Sequence, residues 1–218
     1  MIAAGAGAGA DTLQAMAASL GLNPTSAQSA ALEDYLGLLR RWNATYNLTS
    51  VRDPALMRTH HLADCMATIP PLLRHLGPTP ARVLDVGSGG GLPGAIIAIL
   101  NPQVDVTCVD AVGKKAAFVR QVAAELALPN LHALHARVES VDGVFDVVTA
   151  RAFATLADLV RLTRERLRVG GVWMAMKGRP PTDEIRAVQA DIDVFHVEPL
   201  HVPGLAAERC LVWMRVAG

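Results

Sequence analysis

Residues 82–94 read Arg-Val-Leu-Asp-Val-Gly-Ser-Gly-Gly-Gly-Leu-Pro-Gly. A short run rich in branched apolar side chains, Arg82 to Val86, stops at five glycines with Pro93 among them. That is the pattern of a buried strand feeding a tight turn and then a helix. Glycine lets the backbone take positive φ without a Cβ penalty, and it lets backbone N–H groups and a helix start come close to a ligand. Pro93 suits the first helical turn, where its missing donor is not needed. The spacing Gly89-x-Gly91-x-x-Gly94 also fits the dinucleotide fingerprint, so the loop alone leaves both a nicotinamide enzyme and a methyltransferase open.

Two neighbours narrow the choice. Asp85, Gly87, Gly89 and Gly91 alternate as Asp-x-Gly-x-Gly-x-Gly, which resembles the first motif of Rossmann-like S-adenosylmethionine (AdoMet) methyltransferases. Asp110 then closes the next apolar run, Val104 to Val109, where a carboxylate can accept hydrogen bonds from both hydroxyls of a ribose. A nucleoside-bearing cofactor follows from the pair.

Outward from this turn the pattern alternates. Strands are expected at 83–86, 104–109, 131–136, 144–150 and 171–176, separated by helices at 93–100, 113–127, 155–168 and 181–190. Continuous apolar strands between helices mean a mostly parallel sheet covered on both faces. Two last strands, 194–199 and 211–216, lie too close for a crossover, so they predict an antiparallel hairpin at one edge and a seven-stranded sheet in all. Upstream, Leu32, Tyr35, Leu36, Leu39 and Trp42 form one stripe of an amphipathic helix over 26–46. A shorter helix is expected over 12–20, and another is capped by Asp53 and ended by Pro70-Pro71. The expected organisation is a flexible tail over 1–10, an N-terminal helical extension over 11–80 and a Rossmann-like α/β domain over 81–218.

Composition bounds the reading. With 218 residues and 51% hydrophobic content, the chain can bury a full core without disulfide staples. Cys65, Cys108 and Cys210 are scattered and odd in number, as free thiols of a reducing cytoplasm would be, and no metal site is indicated. No apolar run reaches membrane-spanning length, and the opening residues lack a signal peptide's basic region, so a soluble cytoplasmic protein is expected. The formal net charge is +0, but residues 151–179 carry +5, either a phosphate-facing surface or a solvated helix face. Only Lys114, Lys115 and Lys177 are lysines among 20 basic residues, and each stands in or beside a motif.

Ligands of such sheets sit beyond the carboxyl ends of the strands. Those ends carry Gly87 to Gly91, Asp110, Arg137-Val138-Glu139, Arg151 and Lys177. Glu139 or its neighbouring backbone can bond an adenine edge while Val138 packs on its face. After the fourth strand comes Thr149-Ala150-Arg151-Ala152-Phe153, with neither the Asn/Asp-Pro-Pro-aromatic cluster of exocyclic-amine methyltransferases nor a nucleophilic cysteine. What remains suits an acceptor such as guanine N7, which has a lone pair and loses no proton, so that positioning, desolvation and electrostatics suffice. Arg151 and Lys177 are the candidates for that positioning. An arginine fork on guanine O6 and N7 would block the methylated atom, so the base must be read from its other edge.

The strings RWNATYNLTSVRDP (41–54), HLADC (61–65), DVGSGGGLPG (85–94), DAVGKK (110–115), RVES (137–140), ARAFATL (150–156) and AMKG (175–178) together resemble the bacterial 16S rRNA (guanine-N7) methyltransferase family, RsmG or GidB. The matches run in order over nearly the whole chain. The resemblance implies AdoMet-dependent N7 methylation of one guanine in a decoding-region loop of 16S ribosomal RNA, as naked RNA or within the small subunit. It places AdoMet contacts at Gly87, Leu92, Val138, Glu139 and Arg151, beside the turn's Gly89 and the ribose candidate Asp110. Asn47, His61, Asp64, Lys114, Arg137 and Lys177 are the RNA-facing candidates, no metal is implied, and a monomer is expected. The family usually has Arg-His where this chain has His60-His61, and neutral imidazole is a weaker anion partner. The residues by themselves leave three other readings: a nicotinamide-dependent oxidoreductase, a methyltransferase of protein or small molecules, and an AdoMet-binding regulator.

Overall fold

The computed structural model describes residues 12–218, so the tail expected over 1–10 lies outside the described residues. The chain begins with α1 (Leu13–Ser19) and α2 (Ser26–Tyr46). α2 opens with a capping box, in which Thr25 and Gln28 each accept the other's backbone N–H. Leu32, Tyr35, Leu36 and Leu39 of its expected stripe are all buried, at about 1.5–3 kcal/mol for each large side chain. The helix ends at Asn47, whose φ of 50° is left-handed and which asparagine tolerates better than most residues. Asp53 then caps α3 (Pro54–Met57), which passes through a π-helical turn at Arg58–Ala63 into α4 (Asp64–Met66). Pro70-Pro71 does not end that helix as expected. The two prolines sit in the first turn of α5 (Ile69–Leu76), where the absent N–H groups have no intrahelical acceptor to lose.

The rest alternates as the apolar runs predict: β1 (Ala81–Val86), α6 (Gly94–Leu100), β2 (Val104–Asp110), α7 (Gly113–Glu125), β3 (Leu131–His135), β4 (Phe145–Arg151), α8 (Leu156–Thr163), β5 (Leu167–Lys177) and α9 (Thr182–Arg186). An antiparallel hairpin of β6 (Ile192–Leu200) and β7 (Arg209–Val216) closes one edge. The strand order is β3-β2-β1-β4-β5-β7-β6, with the first five parallel and β7 antiparallel to both neighbours. Order reverses between β1 and β4, and that switch point opens a crevice at the strands' carboxyl ends. Alternate residues face opposite layers. Val83, Val106 and Val147 pack with α6, α7 and the N-terminal helices, whereas Leu84, Val86 and Val148 pack with α8. The helical extension is therefore part of one layer of the core.

Three elements differ most from the sequence reading. The helix expected to reach 168 stops at Thr163, and β5 starts at Leu167 rather than Gly171. Between Leu167 and Val172 the strand bulges, its partner moving only from Phe145 to Val147, with Gly170 at φ 79°. The glycine pair interrupts the strand instead of preceding it. α9 spans five residues rather than 181–190.

Asp85 ties the end of β1 to the start of α6: it is fully buried, and its Oδ2 accepts the Gly94 N–H at 2.8 Å. Its Oδ1 has no hydrogen-bond partner among the described residues, and burial pushes the carboxyl up to about 7. Below about pH 4 the group is protonated whether the chain is folded or not, so it carries no penalty. As pH rises towards 7 the unfolded chain ionises while the folded one keeps its proton, and stability falls. Asp85→Asn is therefore expected to gain on wild type between pH 4 and 7, by roughly 3–4 kcal/mol at the upper end. Urea unfolding of both chains across that range tests this; a difference that does not change with pH would contradict it.

Candidate functional site

The glycine turn is held from three sides. Gly87 and Ser88 donate backbone N–H groups to the Val109 carbonyl, at 2.9 and 3.2 Å, which seats the turn on β2. Asp110 at the tip of β2 accepts the Gly89 N–H on Oδ2 (3.0 Å) and the Val112 N–H on Oδ1 (2.9 Å), with Lys115 Nζ 3.7 Å away. From the helical layer, the buried Tyr35 hydroxyl donates to the Gly90 carbonyl at 2.7 Å. Gly87 and Gly89 have φ of 64° and 57°, in the left-handed region. A Cβ on Gly87 would lie 2.6 Å from the Phe153 ring, whereas one on Gly89 would meet only the Gly87 carbonyl, at 4.0 Å. The turn thus presents bare backbone to a cleft of about 610 Å³.

The opposite wall of that cleft comes from the N-terminal extension. Leu48 to Val51 form part of it, pinned by Asn43, whose Oδ1 accepts the Thr49 N–H (2.8 Å) and whose Nδ2 donates to the Val51 carbonyl (3.3 Å). The π-helical turn supplies His60, His61 and, one residue on, Asp64. Asp64 is 2% exposed, yet Arg151 Nη1 and Arg209 Nε approach its two oxygens at 3.2 and 2.9 Å. Arg151 also donates to the His60 carbonyl at 2.9 Å. That contact uses backbone, so the departure from the family's Arg-His pattern at position 60 leaves it intact. His61 donates from Nδ1 to the His60 carbonyl (2.9 Å) and accepts the Thr49 hydroxyl on Nε2 (2.9 Å). Burial, with help from the Arg151 charge, lowers its pKa to about 4, so the ring is neutral at pH 7.

A smaller cavity of about 130 Å³ lies on the other side of Gly87, between Asp110, Arg137, Val138, Glu139 and Phe153. The expected cofactor residues are thereby gathered: Gly87 borders both spaces, Gly89, Leu92 and Arg151 line the large one, and Asp110, Val138 and Glu139 the small one. The RNA-facing candidates divide differently. His61 and Asp64 are buried and committed to internal bonds, which gives them a structural role in holding the cleft wall and Arg151. Lys177 lines the cleft but is paired with Glu184 at 2.8 Å, so its charge is largely spent. Asn47 and Lys114 line neither cavity; Asn47 Oδ1 accepts from Arg52 Nη2 at 3.0 Å. Sequence reasoning missed Arg209, 145 residues from its partner Asp64, and Tyr35, which read only as part of an apolar stripe.

Most of the cations in the +5 stretch over 151–179 are engaged in ion pairs. Arg161, Arg164, Arg166 and Arg168 are paired with Asp158, Asp191, Glu165 and Asp146, and of the stretch only Arg179 lacks a carboxylate partner among the described residues. Among the described residues, no group of three or more His, Cys, Asp or Glu is placed to hold a metal ion, and no helix is long and apolar enough to cross a membrane. All three cysteines are free and buried.

Removing Asp64 would leave two guanidinium groups facing each other over a site that is mostly closed to water. Asp64→Ala is expected to lose about 3 kcal/mol of stability, read as a lower denaturant midpoint. A loss below about 1 kcal/mol, the scale of an exposed ion pair, would contradict the clamp.

Residues 28–212 match the GidB family, described as rRNA small subunit methyltransferase G. A Leptothrix cholodnii protein named Ribosomal RNA small subunit methyltransferase G is 62% identical over 206 residues, covering 94% of each chain. A protein of the same name from Acidovorax sp. (strain JS42) is 57% identical over 205 residues, 90% of this chain and 91% of its own. Among solved structures, the glycopeptide N-methyltransferase MtfA complexed with (S)-adenosyl-L-methionine matches with a TM-score of 0.57 at 14% identity, over 72% of this chain and 94% of its own. TrmN from Thermus thermophilus matches at 0.56 and 21%, over 69% and 48%. At those identities the structural likeness speaks for the fold, a Rossmann-like AdoMet methyltransferase architecture. The family match spans most of the sequence and two relatives exceed half identity over nearly full length: the chain belongs to the GidB family, rRNA small subunit methyltransferase G.

Proposed function

We propose that this chain is an AdoMet-dependent methyltransferase of small-subunit ribosomal RNA and that its acceptor is N7 of a guanine in a decoding-region loop. The observation that carries the choice of atom is the state of the ionisable groups in the cleft wall. Asp64 is held between two arginines and His61 is neutral with both nitrogens engaged, so neither is free to take a proton; the His60 Nδ1 is turned back on Leu56 and Thr59, which leaves its Nε2 as the wall's remaining imidazole acceptor. An acceptor that must lose a proton as it reacts would need a base held against it, a part that neither Asp64 nor His61 can take. Guanine N7 keeps no proton to lose, so a site built from bare backbone and fixed cations is sufficient.

The residues present fit the cofactor. The positive-φ turn is a cradle that side chains would fill, and two cavities meet at Gly87. Gly87, Gly89 and Leu92 would border the methionine end. Asp110, whose carboxylate keeps lone pairs beyond its two backbone bonds, would take the ribose, and Val138 and Glu139 the adenine. When bound, AdoMet supplies an electrophilic methyl group on a sulfonium. Arg151 sits at the tip of β4 with its guanidinium fixed by Asp64 and His60, so it positions whatever occupies the cleft without reorganising. We expect it to act as a monomer. We place the protein in the cytoplasm, with its RNA.

Mass mapping of 16S rRNA from cells lacking the protein tests substrate, base and atom together. The deletion strain is expected to lose one N7-methylguanosine, wild type on a plasmid to restore it, and Gly87→Val to fail, because any side chain there is both strained in φ and driven into Phe153. Full methylation without the protein, or labelled methyl groups in protein rather than RNA, would contradict the proposal.

A further inference from the structure

All 20 basic side chains lie among the described residues, and six have no carboxylate of a described residue within 4.0 Å: Arg40, Arg52, Lys114, Arg120, Arg137 and Arg179. None of the six is at the sheet's other rim, where Arg82, Arg168 and Arg215 are each paired, with Asp105, Asp146 and Asp193. Arg137 and Arg179 follow β3 and β5 at the cleft rim, and the other four belong to the extension and α7. Unpaired cations thus stand at the cleft rim and on the helices flanking it, interspersed with carboxylates that make no ion pair among the described residues, Asp53 and Glu139 among them, so a contact with RNA there is a matter of individual side chains and not of a net field.

Beside one of those cations, Arg52, stands an aromatic that the site described so far does not use. Tyr46, the last residue of α2, is 42% exposed. Its ring packs on Trp42 at 5.0 Å, and Trp42 in turn meets Phe118 of α7 edge-on at 5.5 Å. The ring is therefore supported from within while part of its surface remains open. Immediately beyond it the left-handed Asn47 turns the chain into Leu48–Val51, the segment that Asn43 pins as the cleft wall. Arg52 is held on the Asn47 side chain at 3.0 Å, and Lys114 stands one turn above Phe118 on α7. A supported, solvent-facing ring with an unpaired cation held on the next residue is an arrangement on which single-stranded nucleic acid stacks, because every base has a π face and every phosphate a charge.

We infer that Tyr46 is a stacking platform for an unpaired RNA base next to the methylated nucleotide, with Arg52 and Lys114 on the adjoining phosphates. The inference rests on the reading of the chain as an rRNA methyltransferase, and it assigns to the extension a direct part in holding substrate. Specificity for a loop rather than a duplex follows, since a base paired inside a helix offers no free face.

The test is affinity for a naked 16S rRNA fragment carrying the loop, measured by filter binding without AdoMet over a series of salt concentrations. Wild type, Tyr46→Ala, Tyr46→Phe and Lys114→Gln are compared, with AdoMet affinity by calorimetry and thermal unfolding measured alongside. Tyr46→Ala is expected to bind RNA on the order of tenfold more weakly, with AdoMet affinity and unfolding midpoint as in wild type, and Tyr46→Phe to restore binding. Lys114→Gln is expected to lower the slope of log affinity against log salt by about one. Wild-type affinity in Tyr46→Ala, or an equal loss in Tyr46→Phe, would overturn the stacking. A loss seen with whole subunits but not with naked RNA would give the surface to a ribosomal protein and overturn it too. Wild type that bound the RNA in this way but transferred no methyl group would count against the functional reading and leave the stacking in place.

Discussion

The site depends on two buried carboxylates at neighbouring strand tips, Asp85 and Asp110, which hold a turn that could not hold itself. Five glycines in thirteen residues carry a large conformational entropy in the unfolded chain, and nothing in their side chains opposes it. Asp85 fixes the far end of the turn through the Gly94 N–H, and Asp110 fixes its middle through the Gly89 N–H. Each bond satisfies a backbone donor that would otherwise be lost at the end of a strand or the start of a helix. The outcome is backbone that is bare but ordered, as close approach to a ligand requires.

The second constraint joins the helical extension to the sheet. Tyr35 reaches the turn from α2, and Asp64, presented by the helix that includes the π-helical turn, grips Arg151 from β4 and Arg209 from β7. Three parts of the chain far apart in sequence are thus joined by one carboxylate. π-Helical turns recur at functional sites because they displace backbone groups from the regular ladder. Here the His60 carbonyl of that turn accepts from Arg151. The extension is consequently a wall of the site and a cover for the core at once, which is why its apolar stripe merges with that of the sheet.

What the sequence disclosed, and what it withheld, follows from the range of the interactions involved. Period-two and period-3.6 apolar patterns are local, so the order of strands and helices was legible, as was the turn at Gly87 to Gly91. The hairpin edge was legible from the short spacing between its strands. Pro70-Pro71 misled because a proline pair marks a helix boundary without saying which side of it the helix lies on. Gly170 and Gly171 misled because a glycine pair begins a strand or bulges it with equal local preference. Charge was the least legible quantity. The run from Arg151 to Arg179 looks basic in one dimension, yet Arg151, Arg164 and Arg168 find acids on other elements, and apart from Arg179 the cations without a carboxylate among the described residues lie at positions no run marks. Asp64 and His61 belong to a family string, which marks them as needed; only the fold shows that the need is to hold Arg151 and the cleft wall.

Soaking or co-crystallising the protein with S-adenosylhomocysteine tests the central claim most directly, since it reports on the grip of the turn independently of any RNA. The account predicts density for the nucleoside along Gly87 to Gly91, with the ribose at Asp110 and the adenine in the small cavity beside Val138 and Glu139. An empty crevice at saturating ligand, or a ligand bound elsewhere on the chain, would contradict it.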